Sequence, residues 1–211
     1  MHTTCRGRSV HRRRDHIRKV LVPIILSSVL VISGCSSLAL RDERVDRVLV
    51  EAQAFVEKGE YRPAVAIYES ALAEDPQQTR LLYNLGLTYA LSGDLASSLE
   101  TLDRLNVLTA NGNVKYLKAY GGVAAAAMEM EIAKESWSRV LELDPVDMDT
   151  RMRLVSLLMD SGDFESAYRA ALQAYGLKQY SKVLFEKLSE LEVSSGNGDG
   201  VSWMLIADTY R

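Results

Sequence analysis

Ala64, Tyr68, Ala71 and Pro76 stand at intervals of four, three and five residues. The same intervals return as Ala133, Trp137, Val140 and Pro145, 69 residues further on, which is two periods of about 34. Between them lies the first half of a matching unit, Leu82, Leu85, Gly86 and Tyr89, followed by Gly93. A chain with a fixed phase of small, aromatic and proline positions is restricted to stacked copies of one supersecondary unit. A single unit cannot bury its apolar face, so stability must come from neighbours.

The apolar spacing and turn residues place four helix pairs at 46–58 and 62–74, 79–92 and 95–107, 114–127 and 130–142, and 148–161 and 164–176. Gly59, Gly93 and Gly162 sit where a helix ends in a left-handed residue, and Asp94 and Asp163 follow where the next helix starts. The third turn has Met128-Glu129 and no glycine, so its helices are expected to meet less sharply. Asn111-Gly112-Asn113 inserts a residue and lengthens that period to 35. Ser181 to Val193 reads as a further helix, and Ser194 to Gly200 as a flexible break before a last one at 201–210. The small positions Gly86, Gly121, Ala52, Ala64, Ala133 and Ala167 let paired backbones approach. Tyr61, Tyr68, Tyr89, Trp137 and Phe164 fill the spaces between units.

The first 34 residues stand apart. Arg6, Arg8, Arg12, Arg13, Arg14, Arg18 and Lys19 form a basic run, and Val20 to Ile32 is an almost unbroken apolar stretch. This is the layout of an export signal, too short for a permanent span. Its end, Ile32-Ser33-Gly34-Cys35, resembles the lipobox of bacterial lipoproteins, in which the cysteine is lipidated and the peptide before it is removed. Such processing would divide the chain into a signal peptide (1–34), a lipidated Cys35 with its tether (35–44), four repeats (45–180) and C-terminal capping helices (181–211). It would discard all three histidines, Cys5, seven of the 25 Lys and Arg and one of the 28 Asp and Glu, leaving a net charge near −9. A surface that acidic repels nucleic acid.

Without histidine or a free thiol, the mature chain holds neither a Ser-His-Asp nor a Cys-His site, and no usual zinc site. Its acids lie mostly at helix starts, Gly121-Gly122 lies inside a helix, and no glycine-rich phosphate loop is present. The reading is non-enzymatic, with no cofactor and no metal.

The repeated set resembles the tetratricopeptide repeat, with Leu82 to Asp94 as its best stretch. That resemblance implies an all-α solenoid of antiparallel helix pairs ending in a capping helix. In such arrays the first helix of each unit lines a concave groove, which by register includes Leu49, Gln53, Tyr83, Asn84, Leu87, Lys115, Lys118, Met152, Arg153 and Ser156. Some family members clamp a terminal carboxylate there. Asn84 and Lys115 match that set, but Leu49 and Ala119 replace cations and Gln53 replaces an asparagine, so the clamp is incomplete. The mix of Tyr83 and Leu87 with Lys115, Lys118 and Arg153 suits a peptide or helix carrying apolar and acidic residues.

A lipobox joined to such repeats resembles the TadD lipoproteins of Tad (Flp) pilus systems, with type IV pilotins near in role. This implies an outer-membrane, periplasm-facing scaffold that binds a secretin or another pilus-assembly subunit. An adaptor for peptidoglycan enzymes or outer-membrane protein assembly is the alternative. At the C-terminus, Val201, Met204, Leu205 and Asp208 mark one face of the last helix, expected to pack on the helix before it. Trp203, Ile206 and Tyr210 mark the other, expected either to tuck into the end of the array or to make a homodimer or secretin contact.

Overall fold

The computed structural model describes residues 41–210, which are helical with no strand among them. Cys35 and the export signal lie outside the described residues. The chain divides into two units, 1–50 and 51–211. The described part of the first, residues 41–50, is helical throughout and belongs to helix α1 (41–56). Residues 41–44 are therefore helix, where the sequence suggested tether.

The second unit is a succession of helix pairs. It begins with the end of α1 and continues through α2 (Tyr61–Glu74), α3 (Thr79–Ser92), α4 (Leu95–Leu108), α5 (Val114–Ala126) and α6 (Met130–Leu143). It then runs through α7 (Met148–Asp160), α8 (Phe164–Gly176), α9 (Lys182–Ser194) and α10 (Val201–Ala207). From α2 on, each helix packs chiefly on its sequence neighbours, as a linear array requires. The small positions act where the spacing placed them. A Cβ at Gly86 would lie 2.7 Å from Leu102 Cγ, and one at Gly121 would lie 2.6 Å from Trp137 Nε1. Ala64, Ala133 and Ala167 are fully buried, and Tyr68 and Trp137 are almost so. Ser98 takes the alanine position in the second pair, where its hydroxyl donates to the Gly86 carbonyl at 2.7 Å.

Gly59, Gly93 and Gly162 have φ of 75°, 86° and 79°, and Met128 takes up the same turn at 63°. The third pair is thus not splayed. Its helices pack on each other as extensively as those of the second pair, and Met128 is held in a backbone region that a side chain ordinarily avoids. Asp94, Asp147 and Asp163 cap α4, α7 and α8 by accepting the backbone N–H three residues on. Glu60 and Glu129 precede α2 and α6 without capping them.

Successive pairs are strapped together at their connecting loops. Arg104 of α4 donates to the Pro76 carbonyl, 28 residues back, and Arg139 of α6 donates to the Asn111 carbonyl at the same separation. At the matching position α8 carries Gln173, whose Oε1 accepts from buried Arg151; that guanidinium in turn donates to the Pro145 carbonyl at 2.6 Å.

The C-terminal helix reverses the expected facing. Phe185, 1% exposed, is ringed by Tyr175, Tyr180, Trp203 and Tyr210 at centroid distances of 5.0–6.3 Å. Trp203 and Ile206 pack on the core while Val201, Met204 and Leu205 point outward. The aromatic face turns inward because Phe185 of α9, with Tyr175 and Tyr180 before it, gives Trp203 and Tyr210 rings to pack on at centroid distances of 5.0–6.4 Å. Trp203 and Ile206 are thus tucked against the end of the array, while Tyr210 stays 37% exposed and the aliphatic face is not covered. Ser189 and Glu192 hold the junction, bonding the Gly200 carbonyl and N–H at 2.8 and 3.1 Å.

Candidate protein-binding groove

The first helices of the second, third and fourth pairs bring Tyr83 and Leu87 (α3), Lys115, Lys118 and Ala119 (α5) and Arg153 (α7) around one depression of about 670 Å³, with Trp137 behind them. Five of the residues selected by register therefore meet. Gln53 is exposed on α1 and Ser156 on α7, and neither lines the depression. Leu49 lies in the first unit. Met152 packs against the core. The Asn84 amide is spent on its own helix, donating to the Arg80 carbonyl at 2.7 Å.

The electrostatics differ from the sequence expectation. Lys118 donates to Asp147 Oδ2 at 2.7 Å and lies 3.5 Å from Asp149, which pairs with Arg153 at 3.1 Å. Two of the three expected free cations are thus bound in a four-residue chain joining α5 to α7. Burial raises the Asp147 carboxyl, but hydrogen bonds from Lys118 and the Thr150 N–H outweigh it and hold the group below the usual carboxylate range. The hydrogen bond to Asp147 likewise raises Lys118. Asp149 is lowered, first by its bond to Arg153. The register rule selected residues on first helices only, so it passed over Asp147, which belongs to the preceding turn. The signals were present: Asp147 with Thr150 is a capping spacing, and Asp149 stands four residues before Arg153.

Lys115 is left available. Its ammonium sits 4.2 Å from the centroid of the Tyr83 ring, and among the described residues it makes no ion pair. Tyr83 also packs on Tyr116 at 5.3 Å. Burial, then Tyr116, raises its hydroxyl, so it remains a neutral donor at ordinary pH. The groove therefore offers one cation on an aromatic face, an apolar wall at Leu87, and a charge-neutralised floor. No cluster of metal-ligating residues is found among the described residues.

Residues 49–112 match the tetratricopeptide repeat family model. The array built on them is similar to the crystal structure of MamA protein, with TM-score 0.67 and 20% identity over 77% of this chain and 88% of that one. It is also similar to YrrB, described as a TPR protein with an unusual peptide-binding site (TM-score 0.61, 17% identity, 76% and 82% covered). A tetratricopeptide repeat protein from Parabacteroides merdae ATCC 43184 resembles it at TM-score 0.64 and 19% identity, over 74% of this chain and 61% of that one. At these identities the likeness is one of fold. No curated protein matches the chain in sequence.

Proposed function

We propose that this tetratricopeptide array is a lipid-anchored, non-enzymatic scaffold on the periplasmic face of the bacterial outer membrane. Its groove binds a secretin or another subunit of a Tad or type IV-like pilus or secretion apparatus. Support for the anchor comes from the lipobox ending at Cys35 directly behind an apolar stretch; a diacylated and further acylated cysteine holds a protein firmly where one chain holds it marginally. Support for the groove rests on one observation, the Lys115 ammonium over the Tyr83 ring beside Leu87. That arrangement suits a segment presenting a carboxylate next to an apolar side chain.

Lys115→Glu separates binding from folding, because Lys115 is exposed and outside the ion-pair chain. Lys115→Glu is expected to lower secretin co-purification from crosslinked membranes at least tenfold at an unchanged melting midpoint, and Tyr83→Ala to lower it as much while also lowering the midpoint, since Tyr83 packs on Tyr116. Undiminished secretin recovery in both variants rules out the groove. Cys35→Ala is expected to leave a precursor or a soluble product; normal processing and membrane retention of that variant rule out the anchor.

A further inference from the structure

The charges that line the groove set a limit on what it takes. Three cations, Lys115, Lys118 and Arg153, stand against two acids, Asp147 and Asp149, which leaves a balance of one positive charge. The two acids are not equivalent. Asp147 has 11% of its side chain accessible, caps α7 by accepting the Thr150 N–H, and accepts from Lys118 at 2.7 Å. It is a fixed part of the wall. Asp149, in the first turn of α7, is 58% accessible and faces the groove without capping the helix.

A single oxygen of Asp149 bridges two helices. Its Oδ2 lies 3.1 Å from Arg153 Nε and 3.5 Å from Lys118 Nζ. A carboxylate oxygen between an ammonium on α5 and a guanidinium on α7 is the contact that an acidic ligand would make there. The chain supplies that contact itself. Asp149 and Arg153 are both more than half accessible, so their pairing contributes little to stability. Its effect on a ligand is larger, because a carboxylate brought to Arg153 is repelled by Asp149 and must displace its oxygen.

Lys115 stands outside this arrangement, with its ammonium over the Tyr83 ring. Lys115 and Lys118 are one turn apart on α5, with about 5–6 Å between Cβ atoms. An extended segment advances about 6.6 Å every second residue. A ligand with acids at alternate positions therefore presents one to Lys115 and the next beside Lys118 and Arg153, where Asp149 already stands.

We infer that Asp149 determines the specificity of the groove by occupying the second carboxylate position, so that the groove takes a segment with one acid between apolar residues and discriminates against one with acids at alternate positions. This specificity rests on the groove proposed above as the binding site. Paired acids are refused because a built-in carboxylate competes with them, and not for want of cations.

The test is titration of the full chain with short peptides, blocked at both ends, that carry leucine at alternate positions. One has glutamate at both intervening positions; two others have glutamate at one and glutamine at the other, in either order. The parent chain is expected to bind the better single-acid peptide at least as tightly as the two-acid peptide. Asp149→Asn is expected to shift the ratio about fivefold or more toward the two-acid peptide, a gain that shrinks as salt rises. Adding Arg153→Gln to that variant is expected to return the ratio to near the parental one. Asp149→Ser, with a different small polar side chain in the same turn, is expected to shift it in the same direction as Asp149→Asn. Asp160→Asn removes the same charge at the other end of α7, about 16 Å away, and is expected to leave the ratio unchanged. A two-acid peptide already preferred by the parent, a ratio unmoved in both Asp149 variants, or an equal shift in Asp160→Asn overturns the role of Asp149 and leaves the groove standing. Single-acid binding that survives Lys115→Glu undiminished overturns the groove itself, and no binding of any peptide by the parent or the Asp149 variants overturns both.

Discussion

Met128 and Gly121 pose opposite problems for a side chain. Met128 is 78% exposed, so its side chain contributes little packing while its backbone holds φ 63°. A left-handed non-glycine residue costs about 1–2 kcal/mol, and glycine returns part of that gain through its freer unfolded chain. Met128→Gly is therefore expected to stabilise the protein by about 0.5–1 kcal/mol, read from the denaturant midpoint; a lower midpoint would contradict the strain. Gly121 faces a rigid indole, with Ser136 Cβ also 3.2 Å from where its Cβ would stand. Gly121→Ala is expected to cost about 1–3 kcal/mol despite alanine's better helix propensity. Gly86→Ala meets only the Leu102 side chain and is expected to cost less. Both glycines, and the alanines that share their role, are legible from spacing alone because close approach has the same cause in every unit.

At the scale of elements, the clasp between α5 and α7 and the seating of α10 depend on contacts between distant segments. Lys118 and Asp147 are 29 residues apart, and Asp147 is the less exposed partner, with 11% of its side chain accessible. Since the folded Asp147 carboxyl titrates below its unfolded value of about 3.9, the stability it lends is complete above that value and is lost as pH falls through the folded pKa. Asp147→Asn is expected to flatten the dependence of melting midpoint on pH below about pH 4; a slope unchanged from the parent would remove Asp147 from that role. For α10, Trp203→Ala is expected to cost less than the about 3–5 kcal/mol of a fully buried indole, because Trp203 is half-buried. The same variant is expected to lose near-ultraviolet dichroism at unchanged molecular mass. A reduced oligomer mass would instead give Trp203 a contact role.

Over the whole of the second unit, stability is distributed from neighbour to neighbour. Removing residues 182–211 would uncover Ala170, Ala171 and Ala174 on α8, which are now buried, and would delete the Phe185 cluster. That truncation is expected to lower the melting midpoint by roughly 10 °C or more, since each kcal/mol lost moves it about 2–4 °C at this size. A midpoint within a degree or two of the parent would show that the last two helices are not part of the cooperative array.

The helix pairs, their turns other than the one at Met128, and the close-approach positions from residue 61 to 194 follow from sequence by itself, because small, aromatic, glycine and capping residues act within a unit or on its nearest neighbour. Spacing therefore carries their meaning. Two features were decided only by tertiary structure: which acid neutralises Lys118 and which face of α10 turns inward. Charge pairing and facing depend on residues that stacking brings together from different units. A carboxylate placed at a helix start for capping gives no local sign that a lysine 29 residues away will reach it.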